Sequence, residues 1–163
     1  MTPVRSATNR RRWIGSIAGL ICFAPGNPQR HRFILSAIFL VVDKGYILLV
    51  DHINAGLWLP SGGQVEPNED PRDTVRREVV EELGTAAEFL KEAPQFLTSR
   101  PSVGKDAQHI DVVLWFQLRG DRGAVLDFDR AEFHKVQWFL KDGLLQTRVV
   151  PELARFMAKL SAP

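Results

Sequence analysis

The stretch from Gly63 to Thr85, GQVEPNEDPRDTVRREVVEELGT, constrains this chain more than any other part of it. Asp70 has the side chain to cap a helix, and Pro71 suits the first helical position, where a missing N–H costs nothing. Gly84 supplies the stop, so the spacing predicts a helix from Pro71 to Leu83. Val75, Val79 and Leu83 recur every four residues and give that helix an apolar stripe for a core. Glu78, Glu81 and Glu82 fall at i, i+3 and i+4, so their carboxylates crowd a different face.

Like charges so close destabilise a helix unless something offsets them. One reading is a solvated acidic face on which Arg77 pairs with Glu81 at i,i+4. The other is a cation site. Hard oxygen donors gathered in this way suit Mg²⁺, or Mn²⁺, held through a few carboxylates together with phosphate and water. The register of Gly63, Glu69 and Arg77 with the three glutamates favours the cation site.

That register resembles the Nudix box, the signature of hydrolases that cleave a nucleoside diphosphate linked to another moiety. Gly63, Glu69, Arg77, Glu78, Glu81, Glu82 and Gly84 match its fixed positions, with Val79 at its apolar one. The box usually closes on an aliphatic residue and here closes on Thr85. The likeness extends from about Phe33 to Leu160 and is sharp only in the box. It implies an α/β/α sandwich around a mixed sheet, and a Gly63 carbonyl that serves as a metal ligand. It also implies a further carboxylate in the loop before the last strand. Glu132, by its spacing from Trp138, resembles the MutT-like pattern better than Asp129 does.

The rest of the chain bounds this picture. With 163 residues and 45% apolar content there is enough material for one domain with a real core. A formal charge of +2 suits polyphosphate ligands and falls far short of a nucleic-acid-binding signature. A single cysteine, Cys22, excludes an internal disulfide framework and a cysteine zinc site. Arg10–Arg12 followed by the apolar run Trp13–Ala24 imitates a signal peptide, but Pro25 follows the run at once and leaves the cleavage site poorly formed. The run is also too short to span a membrane. Residues 1–12 are therefore expected to be disordered and 13–32 to pack on a domain over 33–163, with a targeting signal as the alternative. A cytoplasmic location, a small-molecule partner and no nucleic-acid or membrane partner follow from this reading, and a homodimer stays open.

Alternating and β-rich runs predict strands at Phe33–Val42 and Tyr46–Asp51 around an Asp43-Lys44-Gly45 hairpin. Further strands are expected at Gly56–Leu59, Ala87–Thr98, His109–Leu118 and Val136–Leu140, with a polar loop over Ser99–Gln108. Pro151–Leu160 reads as an amphipathic helix with Leu153, Phe156, Met157 and Leu160 on one face. Pro60-Ser61-Gly62-Gly63 reads as a glycine turn whose backbone can approach a ligand closely, with Gly62 as a substrate contact. In the strand from His109, one face carries Ile110, Val112, Leu114, Phe116 and Leu118 and is read as core. Asp111 and Trp115 lie on the other face, where they could meet a base or sugar, or form a second core layer under a helix. Trp58 carries the same two readings.

Two function classes compete. The first is a Mg²⁺-dependent pyrophosphohydrolase in which Glu78, Glu81 and Glu82 hold the ions and one carboxylate doubles as base. Arg77 would orient a carboxylate, and Glu69 would bind through water or fix the loop. A nucleoside triphosphate, cleaved to monophosphate and pyrophosphate, leads as substrate, with ADP-ribose or a nucleotide sugar as the alternative. Pro101 resembles a mark of ADP-ribose hydrolases, while the tyrosine mark of dinucleoside polyphosphate hydrolases is absent. The second class is a silent nucleotide sensor of the same fold. Such domains tend to lose box carboxylates, and this chain keeps them all.

Overall fold

The computed structural model describes residues 32–101, 109–146 and 149–161. The expectations for 1–12 and most of 13–32, including Cys22, lie outside the described residues, as does the 102–108 part of the polar loop. The elements are β1 (Arg32–Asp43), β2 (Tyr46–His52), β3 (Leu57–Leu59), β4 (Ser61–Gln64), α1 (Pro71–Leu83), β5 (Phe96–Pro101), β6 (His109–Arg119) and β7 (Phe133–Leu140). A 3-10 turn at Lys141–Gln146 and α2 (Pro151–Ser161) complete the chain.

The strands form one seven-stranded sheet ordered β3-β2-β1-β6-β5, with β4 added to β1 and β7 to β2. It is mixed: β1 and β6 run parallel from Arg32↔His109 to Val42↔Arg119, and every other pair is antiparallel. The β1–β2 hairpin turns on Lys44 (φ 45°) and Gly45 (φ 84°), and two positive φ values are what a two-residue type I′ turn requires.

Each sheet face carries its own core. Ala37, Phe39, Leu114, Phe116 and Leu118 meet Val75, Val79 and Leu83 of α1. Leu40, Ile47, Leu49, Val113 and Trp115 meet Leu153, Phe156 and Met157 of α2. The result is the expected α/β/α sandwich, because alternate residues of β1 and β6 are apolar on both sides and a helix covers each.

Three expectations need correction. The run Ala87–Thr98 is not one strand. Pairing begins only at Phe96 and continues to Pro101, while Phe89 makes a single bridge to Leu118. The glycine turn is itself a strand, β4, with Gly62 opposite Ile38 and Gly63 opposite Ala37. The last strand starts at Phe133, earlier than Val136, since Phe133 pairs with His52 and is buried.

Candidate active site

Helix α1 begins as its sequence demands. Asp70 is extended (φ −77°, ψ 131°), and its carboxylate accepts from the Arg72 N–H at 2.9 Å. Gly84 closes the helix in the left-handed conformation at φ 62°, with its N–H on the Val80 carbonyl. The apolar stripe seats the helix on the sheet beside β4 and turns the glutamate face toward Gly62 and Gly63.

Arg77 is the organiser of that face. Its Nε and Nη2 donate to the Glu69 carboxylate, each at 3.2 Å. Nη1 donates to Glu78 Oε1 at 2.6 Å and to Glu81 Oε2 at 3.2 Å. Nη2 also reaches the Gln64 carbonyl at 3.3 Å, which ties the helix to the end of β4. Bonds to Glu69, and then to Glu78, raise the Arg77 pKa above its ordinary value and keep it charged. Glu69 also accepts from the Thr74 hydroxyl at 2.7 Å and the Glu66 N–H at 3.0 Å. Burial alone would raise its pKa. The bonds from Arg77, Glu66 and Thr74 outweigh burial and lower it.

Glu82 is different. It is buried, at 7% exposure, and its Oε2 accepts the Gly62 N–H at 3.0 Å. Burial, then the like charges of Glu78 and Glu132, push its carboxyl up to about 8. Glu78 is raised as well, by burial first, with Arg77 opposing and Glu81 and Glu132 adding to the rise. Both glycines are needed for this closeness. A Cβ on Gly63 would overlap the Glu78 carboxylate, and one on Gly62 would overlap the Ala37 carbonyl.

Among the described residues, no three His, Cys, Asp or Glu side chains already converge on a single metal position. Arg77, bonded to both Glu78 and Glu81, stands where opposite charge is wanted. The donor chemistry nonetheless fits a hard divalent cation. The donors are all oxygen, and burial, with their mutual repulsion added to it, raises two carboxyl pKa values.

Gly62, Gly63, Glu69, Arg77, Glu78, Glu81 and Glu82 thus form one connected group. Glu132 joins it electrostatically from the segment before β7, as its effect on Glu78 and Glu82 shows. Asp129 sits in the same segment, but its carboxylate is taken up locally by the Ala131 N–H at 2.7 Å. Trp115 departs from the substrate-contact reading. It is 2% exposed and lies 5.3 Å from the Phe156 ring, with its indole N–H on the Thr98 hydroxyl. Helix α2 covers it, so it belongs to the second core. Trp58 packs edge-on against Phe139 at 4.8 Å, with Lys135 over its ring. Asp111 pairs with His109 at 3.0 Å near the start of β6. Sequence reasoning missed Thr74 and the Gln64 carbonyl. A threonine on a polar helix turn and a main-chain oxygen carry no pattern that could have marked them.

The NUDIX domain profile matches residues 32–160. The mouse protein named nucleoside diphosphate-linked moiety X motif 6 is 28% identical over 139 residues, which cover 83% of this chain. The matched region spans only 43% of that relative's length. A MutT NUDIX hydrolase from Burkholderia pseudomallei superposes with a TM-score of 0.67 at 21% identity, covering 80% of this chain and 100% of that one. The NUDIX domain of Shewanella oneidensis NrtR, solved with ADP ribose, superposes at 0.61 with 17% identity, covering 88% and 95%. Members of this family generally use a divalent metal. The chain belongs to the NUDIX domain family.

Proposed function

We propose that this chain hydrolyses a nucleoside diphosphate linked to another moiety, with Mg²⁺ at the α1 carboxylates and Mn²⁺ able to replace it. The leading substrate is a nucleoside triphosphate, split to monophosphate and pyrophosphate in the cytoplasm. The carrying observation is Glu82, a buried carboxylate that feels the charges of Glu78, Glu132 and Glu81 and is fixed by the Gly62 N–H. Such a group is costly to keep charged without a cation.

Glu78, Glu81 and Glu82, with the Gly63 carbonyl and Glu132, would hold the ion. A divalent cation there neutralises diphosphate charge, polarises the P–O bond and lowers the pKa of an attacking water. The chain's own residues do the positioning. Arg77 fixes the orientation of Glu69, Glu78 and Glu81 and does not touch substrate, because its donors are already used on these carboxylates and on Gln64. Glu69 holds the loop between β4 and α1 through the Glu66 N–H and Thr74. One of the carboxylates that hold the ion would double as base. Asp111, partly buried, is assigned to the nucleoside side as a hydrogen-bond acceptor.

ADP-ribose is the second substrate reading, favoured by the ADP ribose bound to the NrtR NUDIX domain. A panel of nucleoside triphosphates, ADP-ribose and nucleotide sugars with Mg²⁺, scored by product, separates the two. Release of a nucleoside monophosphate that stops on adding chelator is the expected result. Turnover in excess chelator would sink the cation mechanism. Tight binding with uncleaved return across the whole panel would make the protein a sensor.

A further inference from the structure

We propose that Asp129 and Gly84 are positioning residues for Glu132: together they dock the 127–132 segment on the C-terminal end of α1 and so set where the Glu132 carboxylate stands. The inference rests on the reading above, in which Glu132 serves the cation site.

The segment is held by main-chain bonds. The Asp129 N–H donates to the Glu82 carbonyl at 3.0 Å, so the residue that gives its carboxylate to the site gives its carbonyl to the loop. Asp129 then folds the chain back. Its Oδ1 accepts the Ala131 N–H at 2.7 Å, and its carbonyl accepts the Phe133 N–H at 3.1 Å. This local turn carries the chain through Glu132 into buried Phe133. From the opposite side the Ile53 N–H donates to the Glu132 carbonyl at 2.9 Å, which leaves the Glu132 side chain as the free end.

Gly84 makes the docking close. Its φ of 62° ends the helix, and a Cβ there would lie 2.7 Å from the Asp127 carbonyl oxygen and 2.9 Å from the Asp127 Cβ. Any side chain at this position must push the segment away from the helix end. The glycine therefore has two separable duties: conformation, which asparagine can also serve, and clearance, which no other residue can.

The test uses Mn²⁺ alone as probe, titrated by calorimetry, beside kcat and KM on the best substrate of the panel. Asp129→Ala should weaken Mn²⁺ binding and lower kcat, each about 10-fold, with KM little changed; this is the lower end of the range for groups that orient a ligand. Asp129→Asn keeps the acceptor oxygen and should restore both. Gly84→Asn tolerates the helix stop but crowds Asp127, and should fall with Asp129→Ala. Because both act through Glu132, Asp129→Ala combined with Glu132→Gln should be no worse than Glu132→Gln alone. Independent losses in the double variant, or an unchanged Asp129→Ala beside a crippled Glu132→Gln, overturn the positioning alone. An inert Glu132→Gln removes this segment from the site and overturns both readings. Thermal melts accompany each variant, and if Asp129→Ala does not fold, Gly84→Asn and its double variant carry the same comparison.

Discussion

The two helices do the same packing work with opposite chemistry. Helix α2 buries Leu153, Phe156 and Met157, and its Phe156 ring stacks on Phe96 at 5.7 Å with the planes 5° apart. Among the polar residues of α2 whose side chains are described, none is fully buried. Helix α1 buries Val75, Val79 and Leu83, but it also buries Thr74 and Glu82. Its other face presents Arg77, which bonds Glu78 and Glu81 of the helix and Glu69 just ahead of it. The contrast separates what holds a helix in place from what a helix is there to present. Two turns of apolar stripe anchor α1 well enough for its other face to carry charges that oppose folding.

The sharpest test of that contrast lies in α2. Phe156→Ala removes a fully buried ring and should cost about 3–5 kcal/mol in denaturant unfolding. Turnover per folded molecule should stay the same; a large loss would mean that α2 contributes to the site. Glu82→Gln is the mirror case. It should lower turnover on the order of 10²–10³-fold, the range seen when one preorganised electrostatic group is lost, while the metal-free protein melts no lower than wild type. A near wild-type rate would remove Glu82 from the site.

A third test is one of pH. Burial, with Glu78 and Glu132 nearby, lifts the Glu82 carboxyl from an ordinary 4.5 to about 8, so between these values the folded state binds the proton that the unfolded state has lost. This contribution is fully present below the lower value and is lost as pH rises to the upper one. The melting temperature of the metal-free protein should therefore fall over that window, and Glu82→Gln should flatten the fall. Glu69, whose pKa is lowered, acts with the opposite sign and only at acid pH, so it does not obscure the comparison. Identical pH slopes for the two proteins would show that Glu82 titrates normally.

How much of this was legible in sequence follows from the range of the interactions. Helix α1, its Asp70 cap and its Gly84 stop were legible because each signal lies within a few residues of its effect. The same holds for the Lys44-Gly45 turn and the buried face of α2. Strand β4 was not, because Ser61–Gln64 has little strand propensity of its own and becomes a strand by pairing with β1. Trp115 was ambiguous for a related reason. Alternation along β6 shows two faces, but only the packing of α2 says that the second one is covered. In the site, the glutamates could be read from their spacing, while Thr74 and the Gln64 carbonyl could not, since Thr74 acts only where it meets Glu69 and the carbonyl only where Arg77 meets β4.

The parallel pairing of β1 with β6 has a consequence in time. Both cores need these two central strands, yet one lies near the start of the described chain and the other follows α1 and β5 in sequence. The hairpin at Lys44-Gly45 and the helix of the box can form from local contacts. The sheet they dock on must wait for a long loop to close, an entropic cost met before either core rewards it. Loop closure thus favours local pieces first and the shared central pair last, with the carboxylate face meeting Gly62 and Gly63 in its final register once that pair has formed.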